Sequence, residues 1–150
     1  MATVYQDIMR FMESYFPAYS ESGQIAETHH VMDKFYASDI IFDDGVVTSR
    51  DQWYKMCLSH PAVQDKITLE HLWVDEKQKE AGAVCKTQAI DRKTGEVLVE
   101  LKMNVLYSLK IDDKKDIKIA RVRVFLESNP QKASKLFQIY AMGSKGPPKQ

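Results

Sequence analysis

Four strand-forming segments in the second half of the chain restrict the fold more than any other feature of the sequence. Each is rich in β-branched and aromatic residues, and charged, turn-forming residues separate it from the next. Short turns of this kind join antiparallel neighbours, so the pattern predicts an antiparallel meander. The third segment is long enough to predict a bend or bulge. The four segments are Ile67 to Val74, Ala81 to Ile90, Glu96 to Lys110 and Ile117 to Glu127.

The first third of the chain has the periodicity of helices. Apolar residues between Val4 and Tyr19 recur at spacings of three and four, with Thr3 as the N-cap. A second apolar stripe, Ile25 to Tyr36, predicts another helix, and a third helix begins after Ser49. Helices on one face of an antiparallel sheet form an α+β fold. The remaining predicted elements are a short strand, Asp39 to Asp43, and a final helix that begins at Asn129-Pro130.

Composition and missing motifs exclude several functions. The chain has 150 residues with 21 basic and 21 acidic side chains, so it lacks the positive field that nucleic-acid binding needs. No signal peptide or membrane-spanning run is present, which predicts a cytoplasmic protein. Cys57 and Cys85 show no metal-binding spacing, and no phosphate-binding or dinucleotide motif occurs, so we expect no metal and no cofactor. We predict one domain, residues 1–142, and a disordered tail, residues 143–150.

Alternation along the strands predicts which side chains face the concave side of the sheet. In the second long strand these are Ala83, Cys85 and Thr87, because Lys86 and Gln88 belong in water. The third strand has an inward set of the same kind: Val99, Leu101, Met103, Val105 and Tyr107. Such a wall suits a ligand pocket and a packed core equally well.

In two strands, alternation alone does not decide which face points inward. If Leu69, His71 and Trp73 face inward, His71 and Trp73 lie in the pocket, and we favour this orientation. If Leu72 and Val74 face inward, His71 lies on the surface. In the last strand, the face with Ile119, Arg121, Arg123, Phe125 and Glu127 contacts solvent or a second subunit, or else Arg123 and Glu127 reach the mouth of the cavity.

The order of elements resembles the NTF2-like superfamily, which includes ketosteroid isomerases, scytalone dehydratase and SnoaL-like polyketide cyclases. The resemblance covers residues 3 to about 140. Two short motifs carry the resemblance, namely Phe35-Tyr36-Ala37-Ser38-Asp39-Ile40-Ile41-Phe42-Asp43-Asp44-Gly45 and Val124-Phe125-Leu126-Glu127. It implies a cone in which N-terminal helices pack on a curved antiparallel sheet and enclose a pocket, and a homodimer formed through the sheet. Asp43 then lies where the ketosteroid isomerases carry their catalytic carboxylate.

Several side chains are candidates for the site. A carboxylate in an apolar pocket has a raised pKa and can act as a base, although Asp43 also suits a turn cap before Asp44-Gly45. His29 suits a hydrogen-bonded core position as well as a pocket. The candidate catalytic residues are Asp43, His29, His71, Tyr107, Arg123 and Glu127. The candidate substrate-binding residues are Tyr15, Tyr19, Trp53, Met56, Trp73, Cys85, Met103 and Phe125.

Two functions are compatible with these features. The first is a cofactor-independent acid/base enzyme, an isomerase, cyclase or dehydratase that acts on a polycyclic or polyketide-type intermediate. The second is a non-catalytic module that binds a small molecule or a protein through a dimeric sheet. We favour the enzyme, with a small apolar substrate and neither nucleic acid nor membrane as a partner.

Overall fold

The computed structural model describes residues 3–42, 45–126 and 130–143. No helix within these ranges is long and apolar enough to cross a bilayer. The helices are α1 (Val4–Ser22), a short 3-10 helix (His29–Lys34), α2 (Arg50–Cys57) and α3 (Pro130–Gly143). The strands are β1 (Tyr36–Phe42), β2 (Val63–Asp75), β3 (Glu80–Asp91), β4 (Val97–Ile111) and β5 (Ile117–Leu126).

The five strands form one curved sheet in the order β1-β5-β4-β3-β2. Strands β2 to β5 pair antiparallel, which confirms the predicted meander. Strand β1 instead joins β5 in parallel, with Tyr36 opposite Ile119, so the sheet is mixed rather than wholly antiparallel. The elements form the α+β arrangement that the sequence predicts.

The second helix is shorter than the sequence predicts. Only His29–Lys34 is helical, as a 3-10 turn, and Tyr36 already begins β1. The aromatic pair that follows the turn explains the change, because Phe35 and Tyr36 are buried in the core. The Phe35 carbonyl accepts a hydrogen bond from the Ile119 amide, so the chain already pairs with the sheet at this residue.

Helix α1 packs against the concave face of the sheet. Thr3 caps it with a capping box, in which the Thr3 hydroxyl accepts from the Gln6 amide and the Gln6 side-chain oxygen accepts from the Thr3 amide. Pro17 lies inside the helix, which continues to Ser22. The buried face carries the apolar and aromatic residues that the periodicity predicts, namely Ile8, Met12, Tyr15, Phe16 and Tyr19.

The end of α1 holds the edge strand β2 through side chains. Gln24 accepts a hydrogen bond from the Asp65 amide and donates one to the Asp65 carbonyl, both at 2.7 Å. The hydroxyl of Ser20 makes the equivalent pair with Ile67, accepting from its amide at 3.0 Å and donating to its carbonyl at 3.2 Å. These two side chains therefore replace the hydrogen bonds that a further strand would supply.

A β-bulge reverses the alternation of β2 halfway along the strand. Leu69 pairs with Cys85 and His71 pairs with Val84, so Glu70 is an extra residue. Beyond the bulge, Leu72 and Val74 pack against the core, and His71 and Trp73 are exposed on the outer face. The inward orientation that we favour for His71 and Trp73 is therefore wrong, because strict alternation does not hold across the bulge.

Strand β5 contains a second irregularity of the same kind. Ile119 pairs with Leu109 and Arg121 with Ser108, which leaves Ala120 as the extra residue. Ile119 is fully buried, whereas Arg121 starts an outward-facing series that continues with Arg123 and Phe125. The open question of the last strand is resolved in favour of the apolar face pointing inward.

We expect Gln24→Ala to destabilise the fold by about 2 kcal/mol, because it leaves both polar groups of the Asp65 backbone without their partner. Urea unfolding would measure the loss. Gln78→Ala, at an exposed turn position, should change stability by less than about 0.5 kcal/mol. Equal losses in the two variants would show that the Gln24 side chain does not hold the edge strand.

Candidate functional site

A cavity of about 490 Å³ lies between the concave face of the sheet and helices α1, α2 and α3. Its walls are mainly aromatic and aliphatic: Phe42, Trp53, Ile67, Met103, Val105 and Val122 are examples. Polar side chains enter at a few points only, which is the usual composition of a small-molecule site. The most polar part of the wall is formed by Asp65, Thr87, Tyr19 and Tyr140.

The carboxylate of Asp65 is the centre of this polar region. Tyr19 donates its hydroxyl to Oδ2 at 3.1 Å, and Thr87 donates to Oδ1 at 2.5 Å. Tyr140 borders the same part of the cavity, and the charge of Asp65 contributes to the raised pKa of its hydroxyl. Side chains from α1, β3 and α3 thus converge on one carboxylate of β2.

The local fold explains why Asp65 faces the cavity. It precedes the bulge of β2, in the half of the strand where Ile67 and Leu69 also point inward. Its cross-strand neighbour is Ala89, which is fully buried and small enough to leave space. Gln24 holds the Asp65 backbone on the opposite side, so the position of the carboxylate is well determined.

Burial and the charge of Asp65 keep the surrounding groups protonated. Burial, followed by the Asp65 charge, raises the pKa of Tyr19 well above its ordinary value. The same two causes raise the pKa values of Tyr140 and of the Cys57 thiol. Burial, then the charges of Glu70 and Asp65, raise the pKa of Cys85 to about 12. These hydroxyls are therefore hydrogen-bond donors at neutral pH, and the thiols are not nucleophiles.

A second group of hydroxyls lies in the deep part of the site. The hydroxyls of Tyr15 and Tyr36 are 3.0 Å apart, and the ring of Tyr107 packs edge-on against Tyr15. Burial raises the pKa values of Tyr36 and Tyr107 well above the ordinary value. Trp53 is also buried, and its indole nitrogen has no hydrogen bond of normal geometry within the described chain. This region can donate hydrogen bonds to a ligand oxygen.

His60 borders the cavity from the end of α2. Its Nδ1 lies 3.0 Å from the carbonyl of Val63, and a carbonyl only accepts, so Nδ1 carries the hydrogen when the ring is neutral. The Nε2 atom then has a free lone pair. The imidazole packs against the Tyr140 ring at a tilt of 38°, with ring centroids 4.8 Å apart, which places it next to the polar region around Asp65.

The structure places some candidate residues in the cavity wall and others elsewhere. Cys85 faces the same side but lies fully buried, in the core beneath the wall. His29 contacts the Ala26 carbonyl, His30 and Tyr54, away from the cavity. The candidates in the wall are Tyr15, Tyr19, Trp53, Met56, Met103 and Tyr107.

Four candidates on the outer face do not reach the cavity. His71, Trp73, Arg123 and Phe125 follow the bulges of β2 and β5, and the inward position predicted or considered for each is wrong. Trp73 and Phe125 are 59% and 57% exposed. Asp43 and Glu127 lie outside the described residues, so their candidate roles stay predictions.

Sequence reasoning missed Asp65, His60 and Tyr140 as site residues. The predicted strand began at Ile67, so Asp65 fell in a presumed loop, although its two-residue spacing from Ile67 and Leu69 is a usable signal. His60 precedes Pro61 at the end of a helical segment, where a histidine has an ordinary structural role, so its position gives no sign of a site. Nothing local to Tyr140 indicates that α3 returns over the cavity.

Comparisons with known proteins identify the fold. No family model matches the chain, and no curated protein sequence matches it. A SnoaL-like polyketide cyclase from Agrobacterium tumefaciens strain C58 has a TM-score of 0.59 at 13% identity, over 91% of this chain and 99% of that chain. An LEH-like epoxide hydrolase from M. tuberculosis has a TM-score of 0.61 at 11% identity, over 95% of this chain and 91% of that one.

A third similar structure is nuclear transport factor 2 from Cryptosporidium parvum, with a TM-score of 0.58 at 9% identity, over 82% of this chain and 94% of that one. The chain therefore has the NTF2-like fold predicted from its sequence. Proteins with very different names share this fold, so the fold does not determine the activity. No group of three or more potential metal ligands occurs within the described ranges.

We expect the free energy of unfolding to fall as the pH rises above about 10. The unfolded chain then loses tyrosine protons that Tyr19, Tyr36 and Tyr107 retain in the folded state, so stability is complete below this pH and is lost above it. Urea unfolding at about pH 8 and about pH 11 should differ by about 1 kcal/mol for each such tyrosine. Tyr107→Phe should make the fall shallower, and equal stability at both pH values would contradict the assignment.

Proposed function

We propose that the cavity is the active site of a cofactor-independent acid/base enzyme, an isomerase, cyclase or dehydratase, and that Asp65 is its base. The observation that carries the proposal is a carboxylate that faces a largely apolar cavity and is held by the Tyr19 and Thr87 hydroxyls. In such surroundings a carboxylate is poorly hydrated. It removes a carbon-bound proton more rapidly, because less water has to leave it first.

The proposed chemistry begins with proton transfer from carbon. Asp65 accepts a proton from a carbon next to a carbonyl group, and the electron pair of the C–H bond forms an enolate. Hydroxyl donors such as Tyr15 and Tyr107 stabilise the enolate oxygen. Asp65 then returns the proton, and the carboxylate is regenerated. In isomerisation the proton goes to another carbon of the enolate, in cyclisation to the alkoxide that forms when the enolate attacks a second carbonyl group, and in dehydration to a neighbouring hydroxyl, which leaves as water.

The cavity and the structural comparisons support an apolar, ring-containing substrate. A volume of about 490 Å³ is within the range of small-molecule sites and accommodates a few fused rings. One protein with this fold is named a polyketide cyclase, which supports a polyketide-type substrate. Asp43 remains a second candidate base, because the described part of β1 ends at Phe42 and Phe42 borders the cavity.

The base-catalysed ring opening of 5-nitrobenzisoxazole tests this proposal without knowledge of the natural substrate. The reaction needs a base in an apolar pocket: the base removes a C–H proton, the N–O bond breaks and a coloured cyanophenolate forms. We expect Asp65→Asn to lower the protein-catalysed rate by about 100-fold or more. Asp113→Asn, an exposed and isosteric control in the β4–β5 turn, should leave the rate unchanged.

Asp43→Asn distinguishes the two candidate bases in the same assay. A large loss with Asp43→Asn and none with Asp65→Asn would transfer the role of base to Asp43. Wild-type rates in both variants would contradict acid/base catalysis in this cavity. Circular dichroism and urea unfolding of each variant show whether a lost rate reflects a lost fold.

The exposed aromatic residues on the outer face support a second proposal, that the protein forms a homodimer through its sheet. Trp73 and Phe125 are more than half exposed, and His71 stacks on Trp73 with nearly parallel rings. Large exposed aromatic side chains on one face are typical of an interaction surface.

We expect the wild-type protein to sediment as a dimer and a Trp73→Ser/Phe125→Ser variant to sediment as a monomer. Val46→Ser is the matched control, because Val46 is 71% exposed and follows β1, outside this face. A monomeric wild-type protein, or a double variant that remains dimeric, would contradict the proposed interface.

A further inference from the structure

No lysine or arginine in the described cavity wall pairs with the charge of Asp65. The described residues of the cavity wall include no lysine and no arginine, and Asp65 is their one carboxylate. The ion pairs between described residues join other groups and leave Asp65 out. Its partners are hydroxyls, which donate hydrogen bonds but carry no charge. Charged groups removed from water are usually paired.

The Asp65 charge acts over a large part of the cavity. Besides raising the pKa values of Tyr19, Tyr140, Cys57 and Cys85, it contributes, after burial and other causes, to the raised pKa values of Tyr15 and Tyr107. These groups lie on α1, α2, β3, β4 and α3, so the carboxylate acts on side chains from several sides of the cavity. An anion placed among them would be repelled, and a cation would be attracted.

The aromatic lining favours a cation for a separate reason. The face of an aromatic ring carries partial negative charge and attracts ammonium groups. Tyr19, Tyr140 and Trp53 border the cavity, and the ring of Tyr140 packs at a tilt against His60. Aromatic rings and a carboxylate together are suited to an ammonium group that has lost part of its water.

The carboxylate also has capacity for another donor. A carboxylate offers about four acceptor positions. Tyr19 and Thr87 use one position on each oxygen. A ligand N–H can therefore bind Asp65 without displacing the hydroxyls of Tyr19 and Thr87.

We propose that the natural ligand of this cavity carries a protonated amine on an apolar ring system, and that Asp65 is the counter-charge of the amine. The inference deepens the proposed function, since it concerns the same carboxylate and names the charge class of its substrate. It separates amine-bearing ligands from acids, phosphates and thioesters of acidic carriers, for which the described wall provides no cation.

Three naphthalene probes of nearly equal size test the charge preference. 2-(Aminomethyl)naphthalene is a cation at neutral pH, 2-naphthalenemethanol is its neutral counterpart and 2-naphthoate is an anion. Titration calorimetry with the full chain should show the amine binding about tenfold tighter than the alcohol, because one ion pair in a partly desolvated site contributes this much. The anion should bind more weakly than the alcohol.

Asp65→Asn identifies the group that is responsible. The variant should reduce the preference for the amine over the alcohol to about twofold or less, while the alcohol keeps its affinity within about twofold. Asp113→Asn should keep the wild-type preference. Equal binding of amine and alcohol by the wild-type protein would overturn the inference, and so would an equal loss of both ligands in Asp65→Asn, which indicates a structural role.

The two proposals about Asp65 can fail separately. If Asp65→Asn abolishes ring opening of 5-nitrobenzisoxazole but the amine has no advantage, Asp65 is a base for uncharged substrates and the charge class is wrong. If the amine preference depends on Asp65 but ring opening does not, the cavity binds amines without the proposed catalysis. Neither result alters the interpretation of the other assay, because one measures a rate and the other an affinity.

Discussion

The attachment of α1 to the edge of the sheet is the interaction on which the cavity depends. Among the described strands, β2 lies at the edge of the sheet, and an edge strand without partners is prone to fraying or to pairing with another chain. The side chains of Gln24 and Ser20 satisfy the backbone there. The same contact holds the helix that covers the cavity and the residue that supplies its charge, so the cover and the polar centre are positioned together.

Much of the architecture follows from periodicity, and the errors occur where periodicity is interrupted. The inward faces of β3 and β4 were predictable, because buried residues alternate without a break from Ala81 to Ala89 and from Val99 to Leu109. In β2 and β5 one extra residue in each strand inverts the pattern, and nothing in the local sequence marks Glu70 or Ala120 as bulged. A register change arises from cross-strand pairing, which single-strand alternation does not contain.

The candidate site was less predictable than the fold, since its members come together only through tertiary structure. Tyr19 could be assigned to a buried helix face, but its contact with Asp65 joins residues 46 positions apart. Tyr140 reaches the site because α3 folds back over the sheet, where Leu136 packs with Val63 and Ala89. Sequence spacing indicates which residue types face inward. It does not indicate which of them meet, because that depends on the path of the connecting segments.

The bulge at Glu70 has a consequence for how this sequence can evolve. The bulge inverts which side chains of β2 point inward. Odd-numbered positions up to Leu69 face the interior, and odd-numbered positions from His71 face outward. One strand therefore serves as a wall of the chamber at one end and as part of an external surface at the other. Substitutions that adapt the outer patch around Trp73 need not disturb the carboxylate at Asp65, so recognition of partners and recognition of ligands can diverge independently within a single strand.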